Sequence, residues 1–196
     1  VQVLKVPEIT LLQKGEVYPI SQKKSEFSEM KYGYVDTIGI AGCGPLAIEY
    51  ALRLMNFRVS FKDIVRECIL KGYRAYMYDE SGNIIDGCGT EYEIFDNLAN
   101  RLISFREIIK YLQAKSPVTL LVENSKYHED KTKKGNHFVT IIGIDKEQNA
   151  IIMDGNLITK TSNKSMALKR MSLKKLVASI NLAWGWKKEK VESYLC

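Results

Sequence analysis

Few of the 196 residues could act as a nucleophile with its base: the chain has four cysteines and two histidines. Cys43 lies between two glycines in Gly42-Cys43-Gly44-Pro45, just ahead of a stretch with helical periodicity. A helix N-terminus offers unsatisfied backbone N–H groups and the positive end of the helix dipole, and both favour a thiolate over a thiol. Cys43 is the candidate nucleophile; the competing reading is a small apolar residue in a tight turn. Cys68, Cys88 and Cys196 form neither a CxxC pair nor a disulfide-dense pattern, so the cysteines leave the compartment open.

The base must be His128 or His137. His128 sits in the charged run Lys126-Tyr127-His128-Glu129-Asp130-Lys131, which reads as a solvated loop. His137 opens the β-rich run His137–Ile144, where a strand could hold an imidazole rigidly at the mouth of a cleft. Asp154 ends the run Ile151-Ile152-Met153-Asp154, and a hairpin turning at Lys146–Asn149 would bring the end of one strand near the start of the other. A carboxylate there would orient His137 and favour its imidazolium, which in turn would stabilise the Cys43 thiolate. Asn156 is a competing orienter, and Asp154 could instead simply begin the turn at Gly155.

The elements that must position these groups follow from periodicity and breakers. Residues 1–36 read as an extended arm with short strands or turns, and 37–116 as mainly helical. Leu46, Ile48, Ala51, Leu52 and Met55 mark one helix after Pro45; Ser60 caps a second, which stops at Gly72. Residues 79–89 read as a turn or loop region, Thr90 with Glu93 as a capping box opening a helix through Leu102, and 104–115 as a further helix. Residues 117–196 read as mainly antiparallel sheet: strands at 118–122, 137–144 and 150–153, a helix capped by Ser172, and a closing strand at 182–186. Helices first and antiparallel strands second indicate an α+β fold in a single domain spanning 1–196.

At these residues the sequence resembles the papain-like cysteine peptidases of the peptidase C39-like family, related to the bacteriocin-processing double-glycine leader peptidases. The resemblance rests on Gly42-Cys43-Gly44-Pro45, Gly135-Asn136-His137-Phe138, Gly143-Ile144-Asp145 and Ile152-Met153-Asp154-Gly155. Upstream it includes Tyr18-Pro19-Ile20-Ser21-Gln22, Tyr32-Gly33 and Ile38, so it spans 18–155. It implies a papain-like fold with Cys43 as nucleophile, His137 as base, Asp154 as orienter and Gln22 as side-chain donor of the oxyanion hole. The Gln22 amide and the Cys43 backbone N–H are suitable donors for a developing oxyanion; a polar loop glutamine is the competing reading. The sequence departs from many relatives at Lys24 and Phe27, where they carry Asp and Trp, and at Leu46 and Gly155, where they carry Thr and Pro.

The expected activity is thiol-dependent hydrolysis of a peptide or related amide through a thioester acyl-enzyme. A non-catalytic peptide-binding module and acyl transfer to an amine are the alternatives. No cofactor is expected. Cys43, Cys88, His137 and Asp154 have metal-ligand types but lack the close ligand pairs of structural zinc, so no metal is expected either. Neither GxxxxGK[ST] nor GxGxxG occurs, so no nucleotide-driven exporter module is present in this sequence. The net charge of +6 is concentrated late, with 14 Lys and Arg against 7 Asp and Glu in residues 126–196. These charges are dispersed and read as a solvated surface rather than a nucleic-acid site. No run is apolar enough to span a membrane; even Thr37–Leu54 carries Glu49 and Arg53. The chain begins at Val1 with nothing resembling a signal peptide, as a processed or trimmed chain would. A bacterial peptidase acting outside the cell or at its envelope is the working expectation, with the cytoplasm as the alternative. The oligomeric state is left open.

Overall fold

The computed structural model describes residues 6–11, 21–23, 26–157 and 168–195, except for the side chains of 85–88. Its helices are α1 (Ile38–Ala41), α2 (Cys43–Leu54), α3 (Phe61–Leu70), α4 (Glu93–Leu98), α5 (Phe105–Gln113), α6 (Asn124–Tyr127), α7 (Leu173–Ser179) and α8 (Lys188–Leu195). Its strands are β1 (Ile9–Thr10), β2 (Lys31–Tyr32), β3 (Asp36–Thr37), β4 (Arg74–Tyr78), β5 (Ile84–Thr90), β6 (Ala99–Leu102), β7 (Val118–Glu123), β8 (Asn136–Ile144), β9 (Asn149–Met153), β10 (Leu168–Ser172) and β11 (Ile180–Trp186). The α+β class holds: helices and small hairpins precede an antiparallel sheet ordered β10-β9-β8-β7-β11-β6, with β1 pairing the far end of β8. None of the described helices is long and apolar enough to cross a membrane.

Helix α2 starts where Pro45 enforces a helical φ without needing a hydrogen-bond donor. Every residue from Gly44 to Leu52 is buried, so this helix lies inside the molecule rather than on it. It packs on β8, where the Thr140 hydroxyl donates to the Ala47 carbonyl at 3.4 Å. Thr140 pairs with Thr119, and Thr119 with Trp184, so these three share the face that meets α2. The next residue, Gly185, falls on the opposite face, where Tyr111 of α5 closes over it. With both faces covered, β7 and β8 are apolar almost throughout instead of alternating.

Several expectations need correction. Residues 79–89 are not simply a loop: β4 and β5 form a hairpin around a turn in which Asp79 Oδ1 accepts the Ser81 and Asn83 N–H groups. Thr90 does not cap a helix. It ends β5, and its hydroxyl meets the Tyr32 hydroxyl at 2.6 Å. The helix expected through Leu102 stops at Leu98, because residues 99–102 pair with β11 as β6, and sheet pairing outweighs a helical apolar period. The capping box is at Ser104 and Glu107, opening α5. Ser172 caps α7 as expected, accepting the Lys175 N–H. β11 does not close the chain, since α8 follows it, and β10 supplies a strand that periodicity did not mark.

The hairpins are fixed by Arg74, which is buried. Its guanidinium donates to Asp36 Oδ2 at 2.6 Å, to the Tyr32 carbonyl at 2.8 Å and to the Ala75 and Gly89 carbonyls at 2.6 and 2.7 Å. One buried charge, satisfied on every side, thus ties β2–β3 to β4–β5 beside the start of α2.

Candidate active site

Cys43 is the first residue of α2, not the residue before it, and Gly42 takes the capping position without a side-chain cap. Its neighbour Gly44 has no room for a side chain: a Cβ there would lie 2.2 Å from the Thr90 hydroxyl oxygen. The end of β5 therefore presses directly on the first turn of α2. Cys43 remains partly exposed while the residues that follow it, Gly44 to Leu52, are buried. Burial pushes its thiol up. The hydrogen bond and charge of His137, together with the Phe138 backbone N–H, outweigh that and hold it below the ordinary value.

His137 and Asp154 meet because of strand register. Thr140 lies opposite Met153, so extending the pairing by one residue sets 154 across from 139, with 137 as its diagonal neighbour on the same face. His137 Nε2 lies 2.7 Å from Asp154 Oδ1, and both side chains are buried. The carboxylate thus engages Nε2 and not Nδ1. Burial works against the imidazolium, but the Asp154 carboxylate and then Cys43 prevail, raising His137 to about 10. Burial likewise works against the carboxylate, and His137 prevails, holding Asp154 down to about 2. The neighbours of both groups thus favour their charged forms, thiolate at Cys43 and imidazolium at His137, with a carboxylate behind the ring.

Gln22 lies between the two halves of this cluster. Its backbone N–H donates to the Gly155 carbonyl at 2.8 Å, and its side-chain Nε2 donates to the Gly39 carbonyl at 3.2 Å, four residues before Cys43. Its Oε1 is buried with no hydrogen-bond partner among the described residues. The amide can therefore turn only by losing the contact to Gly39. Leu46 and Gly155, two of the positions where the sequence departs from many relatives, face each other. A Cβ on Gly155 would lie 2.8 Å from Leu46 Cδ1 and 3.3 Å from Gln22 Oε1. The larger residue at one position fills the space left by the smaller at the other. Lys24 and residues 18–20 lie outside the described residues.

Asn156, the competing orienter, contributes differently. Its backbone N–H donates to Asp154 Oδ1 at 2.9 Å, and its Nδ2 is nearly equidistant from both His137 ring nitrogens, at 3.2 and 3.4 Å. His128 is not a fully solvated loop residue. It packs edge-on to the Tyr127 ring, and burial, aided by Lys133 and Lys169, pushes it down to about 4. Cys68 is buried in α3, and burial pushes its thiol up to about 12. Cys196 and the side chain of Cys88 lie outside the described residues. Among the described residues no group of three or more His, Cys, Asp and Glu could hold a metal ion. Tyr127 was missed by sequence reasoning, yet its hydroxyl donates to Asp154 Oδ2 at 2.9 Å. Nothing in its charged flanks marks it, since only the folded position of α6 brings it to Asp154.

A comparison with curated proteins finds no match. The sequence does match a family model, that of the Peptidase_C39 like family, over residues 14–177. That match takes in most of the chain and all of Gln22, Cys43, His137 and Asp154, so the protein belongs to this family, with its papain-like α+β fold and its general association with cysteine peptidase activity.

Proposed function

We propose that the protein is a thiol-dependent peptidase in which Cys43, His137 and Asp154 act as a triad and Gln22 helps to form the oxyanion hole. The Cys43 thiolate attacks the carbonyl carbon of a peptide or related amide. The negative charge that develops on oxygen is met by the Cys43 backbone N–H, which as a first-turn group has no intrahelical partner, and by the second N–H of the Gln22 amide. His137 gives its Nδ1 proton to the leaving amine as the C–N bond breaks, leaving a thioester on Cys43. Water then attacks the thioester, His137 takes its proton, and the acid leaves as the thiolate–imidazolium pair is restored. Asp154 keeps the ring oriented and its charge compensated throughout.

The observation that carries this reading is the His137 ring held at 2.7 Å by a buried carboxylate, beside a partly exposed cysteine at a helix start whose thiol it pulls below the ordinary value. A module that only binds peptides has no use for a depressed thiol pKa. Intact-protein mass after incubation with a broad epoxide probe tests the proposal: one adduct is expected on the native protein and none on Cys43→Ala. An unlabelled native protein, or equal labelling of the variant, would overturn it. Adding an amine acceptor to a peptide-cleavage assay separates the acceptors, since hydrolysis yields free acid alone and transfer yields the new amide.

A further inference from the structure

Asp154 has a second oxygen, and it is held by a side chain that the proposed chemistry does not use. Tyr127 is 1% exposed, and its hydroxyl donates to Asp154 Oδ2 at 2.9 Å. Oδ1 already accepts from His137 and from the Asn156 N–H, so the carboxylate is engaged on both oxygens and cannot turn without losing a bond. Tyr127 is itself held. The Lys169 ammonium lies 3.7 Å from its ring centroid and donates to its carbonyl at 3.3 Å, with the His128 ring edge-on at 5.0 Å. Lys169 is half-buried and makes no ion pair among the described residues; its ammonium sits over the tyrosine ring and also interacts with the Asp154 and Glu129 carboxylates.

We infer that Tyr127, braced by Lys169, is a positioning residue that fixes the Asp154 carboxylate toward His137. The inference rests on the triad reading above. A hydroxyl donating to a carboxylate also spreads its charge, so removing that hydroxyl makes Asp154 a stronger partner for the imidazolium proton while freeing it to rotate. The two effects are separable: the first moves the His137 titration upward, and the second lowers turnover. The groups facing the pair are Cys43 and Tyr50 from α2, Tyr127 and His128 at the end of α6, and Lys169 from β10. Lys133 and Glu129 act on this set from further out, through His128 and Lys169.

Because the chain has only two histidines, proton NMR of the imidazole C–H signals can follow both, with His128→Ala assigning them. In Tyr127→Phe, His137 should hold its proton about threefold more tightly or better, while kcat falls about tenfold and KM stays within about twofold. Lys169→Met should move the same titration in the same direction by less, and His128→Ala should leave it in place. An unmoved His137 titration in a folded Tyr127→Phe, even with reduced stability, overturns the inference and leaves Tyr127 as packing. If Tyr127→Phe does not fold, Lys169→Met decides by the same measurement. Failure of the triad reading is seen separately, as a native protein that neither turns over peptide nor takes the probe on Cys43.

Discussion

Gly155 offers the sharpest test of how the two halves of the site are joined. Its carbonyl accepts from the Gln22 N–H at 2.8 Å and the Ser21 hydroxyl at 3.2 Å, so it ties the arm to the residue following Asp154. In Gly155→Ala the new methyl would lie 2.8 Å from Leu46 Cδ1, 3.3 Å from Gln22 Oε1 and 3.4 Å from the Tyr50 hydroxyl. Leu46 is 1% exposed and has little room to retreat. Overpacking of a filled interior costs about 1–3 kcal/mol, and one severe contact with one close and one ordinary contact suggests about 2 kcal/mol. Leu46→Ala alone should cost about 2–5 kcal/mol for lost burial and the void it leaves. In the double variant the methyl occupies part of that void and the clash disappears, so the summed single costs should exceed the double cost by about 1–2 kcal/mol. Urea midpoints at unchanged m measure all three variants. Additivity within about 0.5 kcal/mol would refute the argument that these side chains compete for one space.

Other expectations follow from the same geometry. Gln22→Ala should lower kcat by roughly 10²–10³ with Cys43 alkylation unchanged, and an unchanged kcat would remove Gln22 from the oxyanion hole. Iodoacetamide near neutral pH should alkylate Cys43 well before Cys68, whose thiol is buried and pushed up to about 12; equal rates would remove the basis for a thiolate at Cys43. Asp36→Ala should cost about 3–5 kcal/mol, because it leaves the Arg74 charge buried without its carboxylate; a loss below about 1 kcal/mol in thermal or urea unfolding would contradict this. The pH dependence of stability has a worked sign. Asp154, held down to about 2, contributes stability that is present above its ordinary value of about 3.9 and lost as pH falls through 2. His137, raised to about 10, contributes stability that is complete below its ordinary value of about 6.5 and lost as pH rises through 10. Native protein should therefore exceed Asp154→Asn in melting temperature most between about pH 4 and 6.5, with the gap closing on both sides. A gap that does not vary with pH would show that the pair does not contribute through its charges.

The residues that sequence reading placed well are those whose structure is decided within a few positions. Pro45 after Gly44 announces the start of α2, Ser172 announces α7, and the break at residues 145–149 announces the β8–β9 hairpin, because caps, turns and local periodicity act between near neighbours. The hairpin then made the His137–Asp154 contact legible, since strand register is a short-range matter once the turn is known. Readings that depended on distant partners went wrong. Residues 99–102 share a helical apolar period with their predecessors, yet become a strand because β11 offers them backbone hydrogen bonds. Thr90 and Glu93 have capping-box spacing, but Thr90 is held by Tyr32 and by the start of α2.

Local signals were enough to put a cysteine at a helix start and a histidine and an aspartate on one hairpin. That these two units meet came from folding alone, because packing α2 onto β8 is a long-range burial of apolar faces that no local signal encodes. The same packing set which atoms surround Cys43, His137 and Asp154: Tyr127 on the far carboxylate oxygen, Phe138 N–H beside the Cys43 sulfur, and Gly155 giving way to Leu46. Each depends on ångström-scale placement between elements far apart in the chain, where a residue's type says what it can bond but not what it will reach.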